Sequence, residues 1–292
     1  MLTPSQVFLK CSAYRNASRN GCVTPTFYAA GGTKRNLENE FARKEGLKVT
    51  DKTPPREGRV QEVWHRDTTR WARYVKGLKV AEGFISPNVE GHRPVGPLQG
   101  FGKMWQKTYK MRLEGASASP AEVVEAWRGR FPEVSGLGRG FRVPSGGLVP
   151  GAVALLVGGL TGVMVLYSDE ESFTYMTPEG HPVSGWITFS AYEDEDGTTV
   201  AQAQLLIRAN DPLWELMMAL GMHRGENIQW QRTLRHLAAH FGAKGEVERR
   251  VVCVDPERQW RHYKNIRHNV LIRSALRTVS APLRKIAKRA RR

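Results

Sequence analysis

The chain has 292 residues, of which 40% are hydrophobic, and a formal net charge of +16. This length allows one or two domains with a substantial core, and an odd number of widely spaced cysteines excludes a disulfide framework and fits no zinc site. The charge is uneven: +9 over residues 1–103, −4 over 104–243 and +11 over 244–292. The two basic ends are therefore the parts expected to meet anionic partners.

Residues 1–101 form a basic N-terminal region in which linkers rich in glycine and proline surround one amphipathic segment. Apolar residues recur at helical spacing within residues 60–78, which predicts a helix there. The remainder is expected to be disordered or to order only against a partner. The cysteine pattern favours a reducing, cytoplasmic compartment, and the chain begins without the apolar core of a signal peptide. A cytoplasmic location is therefore expected, with peripheral attachment to a membrane as a variant of it.

A central domain is predicted over residues 102–244, and its first element is a strand. In the segment 102–115, polar and apolar residues alternate. Trp105, Lys107 and Tyr109 fall on one face together with further apolar residues, while the other face is polar. This period of two predicts a strand with one buried side.

A helix is predicted directly after this strand. Ser119 is placed as its N-cap, with proline at the first helical position and Glu122 three residues after the cap. Serine followed by glutamate at this spacing is a capping box. The helix is expected to end near Arg130, because Pro132 follows.

An uncharged stretch from Val143 to Ser168 allows two interpretations. Its length is that of a transmembrane helix. However, it contains six glycines and two prolines, which disfavour a helix. Two short runs rich in β-branched residues, separated by the turn GGLTG, are typical of a hairpin. The hairpin is favoured, because further segments with the pattern of strands follow.

Those segments continue as far as Ala209 and are joined by short polar turns. Turns of this length leave no room for helical crossovers, so an antiparallel meander is predicted. Asp211-Pro212 then marks the start of a short apolar helix. A long helix is predicted from Glu226 to Phe241, with an apolar stripe that must lie on the sheet.

The order strand, helix, antiparallel strands and long helix resembles the helix-grip fold of the START, polyketide-cyclase and Bet v 1-like superfamily (SRPBCC). The phrase GHPVSGWITFSAY...GTTVAQAQLLIRANDPLWEL, over residues 180–216, is similar to bacterial members that have no assigned activity. The resemblance implies an α+β fold in which a curved antiparallel sheet grips a long C-terminal helix, with basic arms, partly helical or disordered, at both ends.

The same resemblance implies a kind of ligand. Members of the superfamily mostly hold apolar small molecules, lipids or polyketides between sheet and helix, and a minority are cyclases, aromatases or hydrolases. A pocket for an apolar small molecule or lipid is therefore expected, without any particular reaction and without a cofactor.

Aromatic and methionine side chains are the candidates for the wall of this pocket, because an apolar cavity needs adaptable walls. The candidates are Tyr175, Trp186, Phe189, Met217 and Trp230. The same residues would serve equally well as ordinary core. Trp186 and Phe189 also point to opposite faces of one strand, so at most one of that pair can line the cavity.

Catalysis has weak candidates in His181 and Tyr175. His181 lies in a turn beside Glu179, where it could act as a general acid or base with Tyr175 nearby in sequence; the alternative is that it is a turn residue in water. His236 and His240 have the spacing of a zinc half-site, but the glutamate of a metalloprotease motif is absent and both fall on the solvent side of the predicted helix. No metal site is expected.

Residues 245–292 are predicted to be a basic amphipathic helical tail. Apolar residues recur at helical spacing among many arginines and lysines. Three roles remain open: docking onto the domain, binding to an anionic membrane surface and binding to a nucleic-acid backbone. The residues expected to contact an anionic surface are Arg284, Lys285, Lys288, Arg289, Arg291 and Arg292.

These patterns favour a non-catalytic protein that holds an apolar or lipid-like small molecule and is placed at an anionic surface by its tail. Two alternatives belong to other classes. One is a cyclase-type or hydrolase-type enzyme that uses the same cavity. The other is an adaptor that binds nucleic acid or membrane through its basic arms.

Overall fold

A computed structural model describes the backbone of residues 68–290 and their side chains as far as Ser280, apart from Arg139. Within this range eight strands form one antiparallel sheet. They are β1 (Pro94–Val95), β2 (Met104–Arg112), β3 (Val153–Leu156), β4 (Thr161–Ser168), β5 (Ser172–Pro178), β6 (Val183–Glu193), β7 (Thr199–Ala209) and β8 (Val247–Asp255). Their spatial order is β3-β4-β5-β6-β7-β2-β8, and β1 pairs with β5.

Among the described residues, five α-helices accompany the sheet. They are α1 (Pro120–Gly129), α2 (Phe131–Val134), α3 (Pro212–Met217), α4 (His223–His240) and α5 (Val270–Ala290). α1 packs on β5, β6 and β7, whereas α4 packs on β2, β7 and β8. A curved antiparallel sheet against a long helix is the helix-grip arrangement, so the predicted α+β fold class is confirmed.

Local capping chemistry sets the ends of two helices as expected. The Ser119 hydroxyl accepts a hydrogen bond from the Glu122 amide, and the Glu122 carboxylate accepts one from the Ser119 amide at 2.8 Å. At α3, the Asp211 carboxylate accepts hydrogen bonds from the amides of Leu213 and Trp214 at 2.9 and 3.1 Å. Each carboxylate satisfies amides that have no partner within the helix.

The uncharged stretch forms the hairpin of β3 and β4. Val153 pairs with Met164 and Leu156 with Thr161, and glycines at positive φ make the turn between the strands. No helix among the described residues is long and apolar enough to cross a membrane. The hairpin prediction is therefore confirmed, and the stretch is apolar because β4 is buried along its whole length.

The long helix is preceded by a distorted segment. After α3, residues Met218–Met222 form a turn of π-helix in which Gly221 has a φ of 117°. This φ suits glycine, since a Cβ would be strained there. α4 therefore begins at His223, three residues before the predicted start, and changes direction relative to α3.

The predicted domain ends at residue 244, but in the structure the sheet continues beyond that residue. β8 follows it and pairs with β2 along nearly its full length, as part of the same sheet. The buried guanidinium of Arg208 on β7 contacts the Asp255 carboxylate at the end of β8, and it also donates to the Gly102 carbonyl at 2.6 Å. The tail assigned to residues 245–292 thus contributes a strand before it contributes helices.

The N-terminal region also departs from expectation where it is described. The helix predicted over residues 60–78 lies partly outside the described residues, and its described part is a 3-10 turn at Thr68–Arg70 followed by irregular chain. Residues 71–101 pack on the sheet, with Leu78, Val89 and Phe101 buried. This segment is ordered by the apolar surface that it covers.

Residues 257–277 dock on the same body. The Asn265 amide donates to the carbonyls of Gln99 and Asn210 at 2.7 and 2.8 Å. Asn269, which is fully buried, donates to the Asp211 carboxylate at 3.0 Å. Val270 is buried in a small apolar cluster with Trp214 and neighbouring residues. Residues 260–268 form a 3-10 helix rather than the expected α-helix.

Candidate functional site: the space between the sheet and the helices

The site is bounded by the inner face of the sheet and by one stripe of α4. Along that stripe the first residues are polar or amphipathic: His223, Glu226, Asn227 and Trp230. The later ones, among them Leu234 and Leu237, are apolar and fully buried. The space beneath the helix therefore has a polar end and an apolar end.

Aromatic rings fill the apolar end. The ring of Phe189 on β6 lies at its centre, with ring centroids of Trp127, Tyr175 and Trp230 at 4.9, 5.6 and 5.7 Å from it. Phe173 stacks on Phe189 at 4.8 Å. Rings at these distances are in contact, so they leave little room for a ligand in this conformation.

Three polar atoms in this aromatic cluster have no hydrogen-bond partner. They are the indole nitrogens of Trp127 and Trp230 and the hydroxyl of Tyr175, all of them buried. A buried polar group without a partner costs about 1–3 kcal/mol. All three groups can donate a hydrogen bond, and all three belong to rings around Phe189. The cluster is thus apolar in volume but has three unused donors.

The polar end is built around Lys107. This lysine lies on the inner face of β2, and its side chain is 1% exposed. Its ammonium contacts the Glu226 carboxylate and lies 3.0 Å from Nδ1 of His223. Burial of Glu226 raises its pKa, but hydrogen bonds from His223 and Lys107, with the positive charge of Lys107, outweigh this and leave the pKa lowered.

Two further contacts complete the polar end. The Tyr109 hydroxyl donates to the Asn227 side-chain carbonyl at 2.5 Å, and burial raises the pKa of this phenol well above its usual value. The Trp105 ring meets the imidazole of His223 edge-on, with centroids 5.3 Å apart. Unlike the three donors around Phe189, the Tyr109 hydroxyl has its partner.

The structure brings three of the five candidate pocket residues together. Tyr175, Phe189 and Trp230 form the aromatic cluster. Trp186, a predicted pocket residue, does not reach this space. It lies on the other face of β6, against Met176 and the segment that follows β1. Met217 is 38% exposed on α3 and is not part of the cluster.

The two catalytic candidates are not paired. Nδ1 of His181 accepts a hydrogen bond from the Val183 amide at 3.2 Å, and burial lowers the pKa of this imidazole to about 4. The Tyr175 hydroxyl has no partner, and burial raises its pKa well above the usual value. The structure therefore gives no support to an acid–base pair of His181 and Tyr175.

One group among the described residues has the composition of a metal site. Ligand atoms of His92, Glu179 and His268 lie within 4.8 Å of one another. However, Arg93 donates to the Glu179 carboxylate at 2.9 Å, and the Arg273 guanidinium contacts the His92 ring. Because two guanidinium groups already meet this cluster, a divalent cation would be repelled. The cluster instead joins three distant segments of the chain.

His236 and His240 lie on the exposed side of α4, as expected. His236 lies with Nδ1 3.2 Å from the Val134 carbonyl of α2, and this contact fixes α2 against α4. The two histidines therefore lie on the outside of α4 and are not part of the space beneath it.

Lys107 and its partners are absent from the candidates named from the sequence. The sequence does contain an indication of a buried charge, since Lys107 falls on the inner stripe of β2 between Trp105 and Tyr109. A charged residue in such a stripe is almost never buried unless it is paired. Its partners on α4 are more than a hundred residues away in the chain, so spacing along the sequence could not identify them.

No family model and no curated protein matches this chain. Among solved structures, the chain is similar to a structural-genomics protein of Nitrosospira multiformis, with 23% identity and a TM-score of 0.32, over 46% of this chain and 95% of that one. It is also similar to the major latex-like protein 151 of Panax ginseng, with 14% identity and a TM-score of 0.29, over 48% of this chain and 99% of that one. These similarities are weak, and the fold assignment here rests on the topology of the sheet and its helices.

Proposed function

We propose that the protein binds a small molecule with an apolar body and at least one hydrogen-bond acceptor, in the space between the sheet, α1 and α4. The observation that carries this proposal is the set of three unpaired donors on Trp127, Tyr175 and Trp230. Ligand acceptors that reach these donors would remove the cost of their burial, and the surrounding rings would hold the apolar part of the ligand.

Binding requires the aromatic cluster to open. Trp230 is half-buried, so its ring is the part of the cluster that we expect to move. An open depression of about 300 Å³ lies near the C-terminal end of α4, lined by Phe241 and the chain between β2 and α1. Phe241 itself packs against the interior cluster.

Binding is favoured over catalysis as the role of this space. The candidate acid–base residues are not paired, and Lys107 is held by Glu226 and His223 in a contact that a reaction would have to break. Breaking a buried charge pair costs several kcal/mol. The pair is better suited to fixing the polar end of the site.

The test is native mass spectrometry of the full chain, with the parent compared with Tyr175→Phe and Trp230→Phe variants. A mass excess that is lost on collisional activation, and that falls at least tenfold in occupancy in either variant, is expected. Tyr192→Phe is the matched control, because Tyr192 lies on the outer face of β6 and should keep the full mass excess.

Extraction of the bound molecule and its mass then give its chemical class. A parent protein without any mass excess, whose thermal unfolding is also unchanged by the apolar probe 1-anilinonaphthalene-8-sulfonate, would contradict the proposal. Equal occupancy in all four proteins would place the ligand elsewhere in the chain.

A further inference from the structure

α5 contacts the body of the protein through its polar residues. The Arg277 guanidinium donates to the Asn88 side chain at 2.7 Å and to the Pro87 carbonyl at 2.6 Å. The Asn88 amide donates to the Ser274 hydroxyl at 2.9 Å, and Arg273 contacts His92. An amphipathic helix that docks on a core does so with its apolar stripe, but beyond Val270 this helix docks with the opposite side.

The apolar side of α5 therefore faces away from the body. Leu276 is 64% exposed and Val279 is 74% exposed. Leu283 and Ile286 continue this spacing in the sequence. Among the described residues no side chain covers this stripe, and an exposed apolar stripe on a helix indicates an interaction surface.

The charge of the helix identifies the kind of surface that it fits. Residues 270–292 contain eight basic residues and no acidic one. A stripe of leucine, isoleucine and valine flanked by lysine and arginine is the pattern of a helix that lies in the interface of an anionic bilayer. α5 has 21 residues, and at 1.5 Å per residue it is about 30 Å long, enough to lie along a membrane surface for several turns.

We propose that α5 binds the surface of an anionic lipid membrane, with Leu276 and Val279 inserted between the headgroups. The basic residues of 284–292 contact the headgroups, whereas Arg273 and Arg277 hold the helix on the body. A nucleic-acid backbone would satisfy the charges but would leave the apolar stripe exposed. A bilayer satisfies both. This surface lies outside the space between sheet and helices and does not depend on the ligand proposed for that space.

The test is co-sedimentation of the full chain with vesicles of phosphatidylcholine and phosphatidylglycerol at a molar ratio of about 3:1. Binding is expected, with at least a tenfold weaker affinity for vesicles of phosphatidylcholine alone and a similar loss at high salt. Leu276→Ser/Val279→Ser should also weaken binding at least tenfold without changing the charge. Because both side chains are exposed, the thermal unfolding of this variant should match that of the parent.

Val149→Ser is the matched control, since Val149 is 55% exposed in a loop before β3 and its loss should leave binding unchanged. Equal binding by the double variant and the parent would overturn the insertion of the stripe. Tighter binding of duplex DNA than of vesicles, unaffected by the double variant, would assign the helix to nucleic acid instead. A dimer of the lipid-free parent that dissociates in the double variant would show that a second copy covers the stripe.

Discussion

Two buried tyrosines on the inner face of the sheet differ in whether their hydroxyl has a partner, which makes them a test of the site. Tyr109 and Tyr175 both lie on the inner face of the sheet and are almost fully buried. The Tyr109 hydroxyl donates to Asn227, whereas the Tyr175 hydroxyl has no partner. The first hydroxyl therefore stabilises the ligand-free fold, and the second destabilises it.

Opposite effects on stability are predicted for the two phenylalanine variants. Tyr175→Phe should raise the free energy of unfolding by about 1 kcal/mol, because it removes an unpaired buried hydroxyl. Tyr109→Phe should lower it by about 1 kcal/mol, because it leaves the Asn227 carbonyl without a donor. Thermal unfolding should shift by about 2–4 °C in each direction. Equal destabilisation by both would mean that the Tyr175 hydroxyl has a partner after all.

The buried pair of Lys107 and Glu226 leads to a second prediction. Glu226→Leu should lower the free energy of unfolding by about 3–5 kcal/mol, because it leaves the Lys107 ammonium buried with only His223 beside it. The double variant Lys107→Met/Glu226→Leu should recover most of this loss. Urea denaturation of the parent, both single variants and the double variant measures the coupling. Additive losses would show that the two side chains do not interact.

A third prediction concerns the stability of the fold at acidic pH. Burial lowers the pKa of His181 to about 4, and burial with the charge of Arg273 lowers that of His92 to about 4. An unfolded histidine has a pKa of about 6.5, so between these values the unfolded chain binds more protons than the folded one. Stability is therefore complete above about pH 6.5 and declines as the pH falls towards 4.

His181→Gln should make this decline shallower, as measured by urea denaturation at intervals from pH 7 to 4. His240→Gln is its control, because His240 is exposed on α4 and its loss should leave the slope unchanged. A parent protein of constant stability over this range would show that neither imidazole is kept neutral by the fold.

At the scale of elements, β8 provides the sharpest prediction. A chain that ends after Gly245 lacks β8, exposes the edge of β2 and leaves the Arg208 guanidinium without Asp255. It should be insoluble or should unfold about 10 °C or more below the parent. A chain that ends after Ser280 keeps β8 and the docked segment, so its thermal unfolding should match the parent. Equal stability of the two truncated chains would show that β8 is not part of the cooperatively folding core.

Elements encoded by neighbouring residues could be predicted from the sequence. The capping box at Ser119, the Asp211 cap and the β3–β4 hairpin depend on residues a few positions apart. β8 falls within the tail that is predicted to be helical. Most of its residues are exposed and several are charged, so no alternation of polar and apolar residues indicates a strand there. Its place is set by pairing with β2, which lies about 140 residues earlier in the chain, and no local pattern records that pairing.

The residues of the candidate site divide in the same way, into those that local patterns predict and those whose partners lie far away in the chain. Tyr175, Phe189 and Trp230 could be chosen because aromatic side chains are expected in the wall of an apolar cavity, and the structure brings their rings together. The Lys107 pair could not, since its partners lie on a distant helix. For α5, spacing predicts which residues share a face but not which face meets the body. The polar contacts of Arg277 with Asn88 and Pro87 decided that.

At the scale of the whole molecule, buried hydrogen bonds between Asn269 and Asp211 join the C-terminal segment to the sheet domain. The Asp211 carboxylate caps α3 and also accepts from the Asn269 amide, while the Asn269 carbonyl caps α5 by accepting from the Leu271 amide at 3.0 Å. Two helix caps are therefore bonded to each other, and the orientation of α5 depends on both.

Asn269→Ala should uncouple the tail from the body. It removes the α5 cap and one donor to Asp211, so a loss of about 1–3 kcal/mol is expected. Hydrogen exchange of α5 amides should accelerate, while that of the amides paired between β6 and β7 should not. The exposed substitution Thr278→Ala on the same helix is its control. Unchanged exchange in α5 would show that Arg273 and Arg277 hold the helix without the cap.

The two outer strands of the sheet have a consequence for the proposed binding to a membrane, because that binding would bring many copies close together. β3 has four residues, and Arg142 covers part of its edge through two hydrogen bonds with Leu155. β8 is longer, but Glu248, Arg249 and Arg250 place charge along it, and charge on an outer strand prevents addition of a strand from another molecule. Crowding in two dimensions would otherwise turn an open sheet into a template for fibres. Under the proposed binding of α5 to a membrane, these two edges would keep the sheets of neighbouring copies from pairing.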